Sequence, residues 1–211
     1  MIATQPQTLV LQDDLDEERQ QRYLQSRYLA VDTETQGLHL QRDRLCLVQM
    51  CNEEGLVTLV QIRRDQAPRL KTVLEASGVE KIFHFARFDV AMLRHRLGIQ
   101  VQPVFCTKIA SRLIRTYTSS HGLKDLVAEF MDIRLDKQQQ SSDWAATTLT
   151  PQQQAYAAAD VVHLVAIREK LVTMLQREKR LELAQACMAF LPTRALLDLG
   201  GWEEEDIFSH S

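Results

Sequence analysis

From Tyr28 onward the chain alternates short apolar runs with polar breaks. Leu29, Ala30 and Val31 form one run that ends in Asp32-Thr33-Glu34, with Gly37 shortly after. Arg44-Leu-Cys-Leu-Val-Gln-Met50 is a second run, Asn52-Glu-Glu-Gly55 a turn, and residues 56–62 a third run. The spacing predicts three strands joined as an antiparallel meander over residues 28–62. Residues 1–27 read as a loose polar lead-in with a short helix near 14–24. Leu70, Val73 and Leu74 share one face of a predicted helix at 68–76. A short strand at 81–84 leads into a helix at 86–97 that Gly98 ends. Helices are also expected at 107–114 and 123–131. Thr150-Pro151 puts a capping residue and a first-turn proline at the start of a helix expected to reach about Arg177. A last amphipathic stretch, 181–190, is expected to stop at Pro192. Three antiparallel strands followed by alternating helices and strands predict one mixed-sheet α/β domain over residues 1–211.

With 211 residues, the chain is long enough for a good core, and 45% hydrophobic with 25% charged residues is ordinary for a soluble protein. No apolar run approaches 18 residues, and the N-terminus lacks the basic and apolar regions of a signal peptide. No membrane partner is therefore expected, and a cytoplasmic location is. Cys46, Cys51, Cys106 and Cys187 show no C-x-x-C spacing and read as reduced core thiols. The net charge of −3 hides an asymmetry: between Lys81 and Lys124 eight Lys and Arg residues surround a single acid, Asp89. A basic middle suggests an anionic ligand. The overall acidity argues against long tracking of duplex DNA.

Side chains at i and i+2 of a strand share a face, so Asp32 and Glu34 point the same way. Two like charges at the end of a buried strand repel, and a divalent cation is the commonest compensation. A solvated strand end is the plainer reading of that pair. Asp89 falls in the first turns of a helix, where a negative charge is favourable by about 0.3–1 kcal/mol without any further role. Tyr156 and Asp160 stand four apart on an alanine-rich helix and so share one face. Val161, Val162 and Leu164 place Asp160 beside buried surface, where an acid needs a partner or a metal. Together Asp32, Glu34, Asp89 and Asp160 suit hard cations such as Mg²⁺ or Mn²⁺. Two such ions would clamp the attacking and leaving oxygens of a phosphodiester, with Tyr156 holding the attacking water.

Asp-x-Glu after a strand, Asp at a helix start and Tyr-x-x-x-Asp on a late helix resemble the tyrosine-bearing DEDD exonucleases. The stretch 137–144, ending in Asp143-Trp144, resembles the ribonuclease D branch. Val104-Phe-Cys-Thr-Lys-Ile-Ala-Ser-Arg-Leu, His121-Gly-Leu-Lys and the ending from Leu191 to Ser211 are most similar to the nano-RNase C family. That resemblance implies an RNase H-like fold and a two-metal 3′–5′ exoribonuclease acting on very short RNA, including diribonucleotides. It also implies a ring-shaped homo-octamer, and the apolar residues of an acidic tail, 192–211, are expected to contribute to its contacts. Leu38, just past Gly37, matches the apolar residue that related exonucleases wedge between the last two bases; an ordinary core leucine is the plainer reading. His84, Arg87, Lys108, Arg112 and the 137–142 run are candidates for a 5′-phosphate. Thr33, Phe88 and Gln140 complete the expected substrate contacts. Two departures bear on substrate contacts and leave the metal positions intact. Phe85 stands where many relatives carry Asn, and Cys106-Thr107 where many carry Asp-Thr.

The same residues leave two other functions open. One is a general 3′–5′ exonuclease on longer RNA or DNA. The other is a catalytically silent nucleic-acid-binding module, against which the intact set of four acids and Tyr156 speaks.

Overall fold

The computed structural model describes residues 8–135, 139 and 141–210. One six-stranded sheet has the order β1-β4-β3-β2-β5-β6. Its strands are β1 (Leu9–Gln12), β2 (Tyr28–Thr35), β3 (Leu45–Asn52), β4 (Val57–Gln61), β5 (Glu80–Phe83) and β6 (Val104–Cys106). β2, β3 and β4 pair antiparallel as the expected meander, whereas β5 and β6 extend the sheet in parallel from β2. Every residue of β3 is buried, so helices must cover both of its faces.

The helices are α1 (Glu17–Leu24), α2 (Pro68–Glu75), α3 (Ala86–Leu97), α4 (Thr107–Ile114), α5 (Leu123–Met131), α6 (Pro151–Val162), α7 (Leu164–Arg177), α8 (Leu181–Ala189) and α9 (Leu191–Leu199). Among the described residues no helix is long and apolar enough to cross a membrane.

Four expectations need correction. The lead-in holds a strand: Leu9 to Gln12 pair with Thr58 to Gln61, and the Gln12 amide donates to Gln61 at 2.9 Å. A four-residue edge strand needs that long-range partner and carries little local signal. The helix from Thr150 ends at Val162, and α7 restarts after His163, which lets Leu164, Ile167, Leu171 and Leu175 reach the core. The β-branched pair Val161-Val162 weakens the helix there. Pro192 opens α9 instead of stopping the chain's last helix, since proline fits a first turn as well as it ends one. Cys46, Cys51 and Cys106 are buried, but Cys187 is exposed.

The first half of the expected subunit-contact tail is therefore a helix of the domain itself. α9 packs on α3, and Arg87 forks onto the buried Asp198 carboxylate at 2.7 and 2.8 Å. Arg194 reaches the same carboxylate from one turn away. Beyond α9, Trp202, Ile207 and Phe208 remain exposed.

Candidate active site

The end of β2 and one face of α6 meet over β3. Asp32, Glu34 and Asp160 each bring a carboxylate oxygen within 4.8 Å of the others. Local sequence fixes each arm. The i, i+2 pleat aligns Asp32 with Glu34. Thr150 and Gln153 cap α6 reciprocally, at 3.2 and 2.9 Å, and so hold Asp160 in register. Gln153 also donates to the Asp143 carbonyl at 3.1 Å, tying the incoming segment to the helix. Trp144 on that segment is buried against Tyr156, with ring centroids 5.9 Å apart.

Asp89 lies outside the trio but inside its field. Thr33, the residue between the two β2 acids, donates its hydroxyl to Asp89 at 2.6 Å. Burial and the neighbouring carboxylates push Glu34 up to about 8, and burial pushes Asp89 up to about 7. For Asp32 burial and then Asp89, Asp160 and Glu34 hold the carboxyl well above its usual range. Solvent still reaches Asp32, Glu34 and Asp160, so the cluster has a mouth. Four carboxyls cannot all ionise here at neutral pH without added positive charge. Tyr156 is raised above the ordinary phenol by burial and by Asp160, with which it shares a hydrogen bond, so it stands as a neutral hydroxyl.

Hard, close-set oxygens fit Mg²⁺ or Mn²⁺ and would suit a thiophilic metal poorly. Asp32, Glu34 and Asp160 are the residues that would hold such an ion, with Asp89 beside them.

The expected substrate residues divide by exposure and by the contacts each already makes. Leu38 is 84% exposed, which excludes the core reading. It tops a loop cinched at Gly37, where an added Cβ would sit 2.1 Å from an Asp43 oxygen already accepting from the His39 amide. His84 shares a 2.9 Å hydrogen bond with Thr107, and burial with Lys108 nearby lowers it to about 4, so the ring is neutral. Phe85, the departure from Asn, adopts the left-handed region (φ 70°, ψ 46°) just before α3 and is 44% exposed. Lys108 sits over its ring, 4.6 Å from the centroid. Arg112 is exposed on α4, and Phe88 is half-buried against the core. Arg87 donates through Nε and Nη2 to Asp198 and the Glu203 carbonyl, so in this structure it ties α3 to α9. Thr33 serves Asp89, and Gln140 lies outside the described residues.

Gln49 was not among the expected site residues. It is Asp32's direct neighbour on β3 and donates to its carboxylate at 3.3 Å. The available signal was an amide inside the apolar run 45–51.

Comparison with known proteins places this geometry. A family model described as 3′-5′ exonuclease matches residues 7–176. A ribonuclease D from Gluconacetobacter diazotrophicus is 32% identical over 166 residues, which is 78% of this chain and 42% of the relative. The chain thus spans about two fifths of the length of that relative. The structure of Brucella melitensis NrnC with bound Mg²⁺ is 46% identical with a TM-score of 0.91, covering 97% of this chain and 99% of that one. Brucella melitensis NrnC bound to pGG is 47% identical with a TM-score of 0.91, covering 97% and 98%.

Proposed function

We propose, from the premise that this chain belongs to the 3′–5′ exonuclease family, that it hydrolyses very short RNA from the 3′ end. The favoured substrates are 5′-phosphorylated diribonucleotides, and the products nucleoside monophosphates. The observation that carries the reading is the convergence of Asp32, Glu34 and Asp160 within 4.8 Å, with Asp89 in their field. Two divalent ions, when bound, would supply Lewis-acid stabilisation of charge on the phosphodiester oxygens.

The remaining roles belong to the chain. Tyr156 orients the attacking water against the carboxylate face, as its neutral hydroxyl and its bond to Asp160 allow. Leu38, on its cinched loop, inserts between the last two bases. Lys108 and Arg112, with the His84 ring as a neutral partner, meet the 5′-phosphate; contacts of that kind contribute about 1.5–3 kcal/mol each. The NrnC relative bound to pGG supports a short phosphorylated ligand. The exposed Trp202, Ile207 and Phe208 support a symmetric homo-oligomer, an octamer by family resemblance.

The test is timed product analysis on 5′-phosphorylated RNAs of two to seven nucleotides with Mg²⁺ or Mn²⁺. Dimers should be consumed fastest, and removal of the 5′-phosphate should weaken dimer binding tenfold or more. Equal rates on dimer and heptamer, with equal phosphate dependence, would replace this reading with a general exonuclease.

A further inference from the structure

Asp32 has a polar neighbour on the next strand to which the proposed function gives no role. Gln49 stands directly across from Asp32 in the β2–β3 ladder and directly across from Leu59 in the β3–β4 ladder. It is wholly buried, as are Leu59 and, on the same face of β3, Leu47. Its Nε2 donates to Asp32 Oδ2 at 3.3 Å. Its Oε1 is also buried and meets no donor among the described residues.

These two facts have one cause. In the cation-bound state of the proposed function Asp32 would be an ionised, accept-only carboxylate. An amide that serves it must turn its NH₂ group toward it and its oxygen away, as Gln49 does. The orphaned acceptor is the consequence of serving Asp32. A buried acceptor without a donor is destabilising, and an apolar side chain of similar length would pack in the same place without that cost. The chain keeps a less stable choice at the floor of its acidic cluster.

Resting on the cation reading above, we propose that Gln49 is a positioning residue for Asp32. It pins one carboxylate oxygen against β3, so that the other faces Glu34 and Asp160 before an ion arrives. Partners of this kind, one step behind a ligand, typically govern metal affinity or activity by about 10–100-fold.

The test compares wild type, Gln49→Met, Leu59→Ala and Asp32→Asn by calorimetric titration with Mn²⁺, by melting temperature, and by kcat and KM on a dinucleotide. Gln49→Met should bind Mn²⁺ at least tenfold more weakly, with a fall in kcat, little change in KM and a melting temperature equal to or above wild type. Leu59→Ala removes packing behind Gln49 but keeps the donor, so it should melt lower while holding Mn²⁺ affinity. Mn²⁺ affinity and kcat within twofold of wild type in Gln49→Met would overturn the proposal. So would an equal loss of affinity in Leu59→Ala, which would assign the effect to packing. Failure of the wild type itself to bind Mn²⁺ more tightly than Asp32→Asn would instead sink the cation reading beneath it.

Discussion

The acidic floor of the site and the residues proposed as its rim are built differently. The floor is regular structure: Asp32 and Glu34 on a strand, Asp160 and Tyr156 on a doubly capped helix, and Asp89 held by a neighbouring hydroxyl. The proposed rim is less regular, with Leu38 exposed on a loop, Phe85 in a left-handed turn and Lys108, half-buried in the first turn of α4, over its ring. Groups that must share a cation need sub-ångström placement, which packed elements supply. Groups proposed to contact the substrate ends need access, which loops and helix starts supply. Floor substitutions should therefore change rate, and rim substitutions should change binding and length preference.

The sharpest break is at the floor. Asp32→Ala or Asp160→Ala should reduce kcat by about a thousandfold or more while the circular dichroism spectrum stays native. Activity near wild type in either variant, or in EDTA, would remove the cation from the chemistry. Tyr156→Phe keeps the ring that Trp144 packs against and removes only the hydroxyl. A loss of about a hundredfold in kcat, with KM nearly constant, is expected of a group that orients the nucleophile.

At the rim the readout moves to affinity. Leu38→Ala removes an exposed side chain, so its melting temperature should stay within about a degree of wild type. Dinucleotide binding should weaken about tenfold, the scale of one lost base stack at ~1–3 kcal/mol. Unchanged affinity would leave Leu38 as a bare loop residue.

How much of this contrast the sequence carried follows from distance along the chain. Asp-x-Glu and Tyr-x-x-x-Asp are local spacings, and strand and helix geometry turns each into a shared face without any tertiary information. The caps at Thr150 and Gly98 were legible for the same reason. β1 was not, because a tetrapeptide edge is a strand only beside β4. The break at His163 has no Pro or Gly to announce it, and Pro192 reads equally as an end or a beginning. Gln49 has no local spacing to mark it, and only the ladder register sets it against Asp32.

A smaller effect tests the floor's electrostatics. Glu34 rises from 4.5 to about 8 and Asp89 from 3.8 to about 7, so between those limits the folded chain without ions binds more protons than the unfolded chain. Their stabilisation is fully present below the unfolded values and is lost as pH rises through 7 and 8. His84, lowered from 6.5 to about 4, works in the opposite direction but only below about 6.5. In EDTA the melting temperature should therefore fall between pH 6.5 and 8, and Glu34→Gln should flatten the fall. Adding Mn²⁺ should restore stability at pH 8. A melting temperature that climbs over this window in EDTA would contradict the picture of a crowded acidic floor.

Arg87 gives the smallest effect and decides on which side of the contrast it belongs. Its basic surroundings in sequence made it a rim candidate, and its partner, Asp198, lies 111 residues away, where no local pattern could show it. The Asp198 carboxylate is buried, whereas the Arg87 side chain is 36% exposed, so solvent screens part of the attraction. Arg194 still reaches Asp198 when Arg87 is gone, which further limits the damage. Arg87→Ala should cost about 1–2 kcal/mol of stability by loosening α9 from α3, with dinucleotide KM and kcat close to wild type. Lys108→Ala, measured alongside, should do the reverse and lose affinity for the 5′-phosphorylated dimer with little change in melting temperature. If instead Arg87→Ala loses the distinction between phosphorylated and unphosphorylated dimers while keeping its stability, then Asp198 yields its partner when RNA binds. The rim would then extend down to α9.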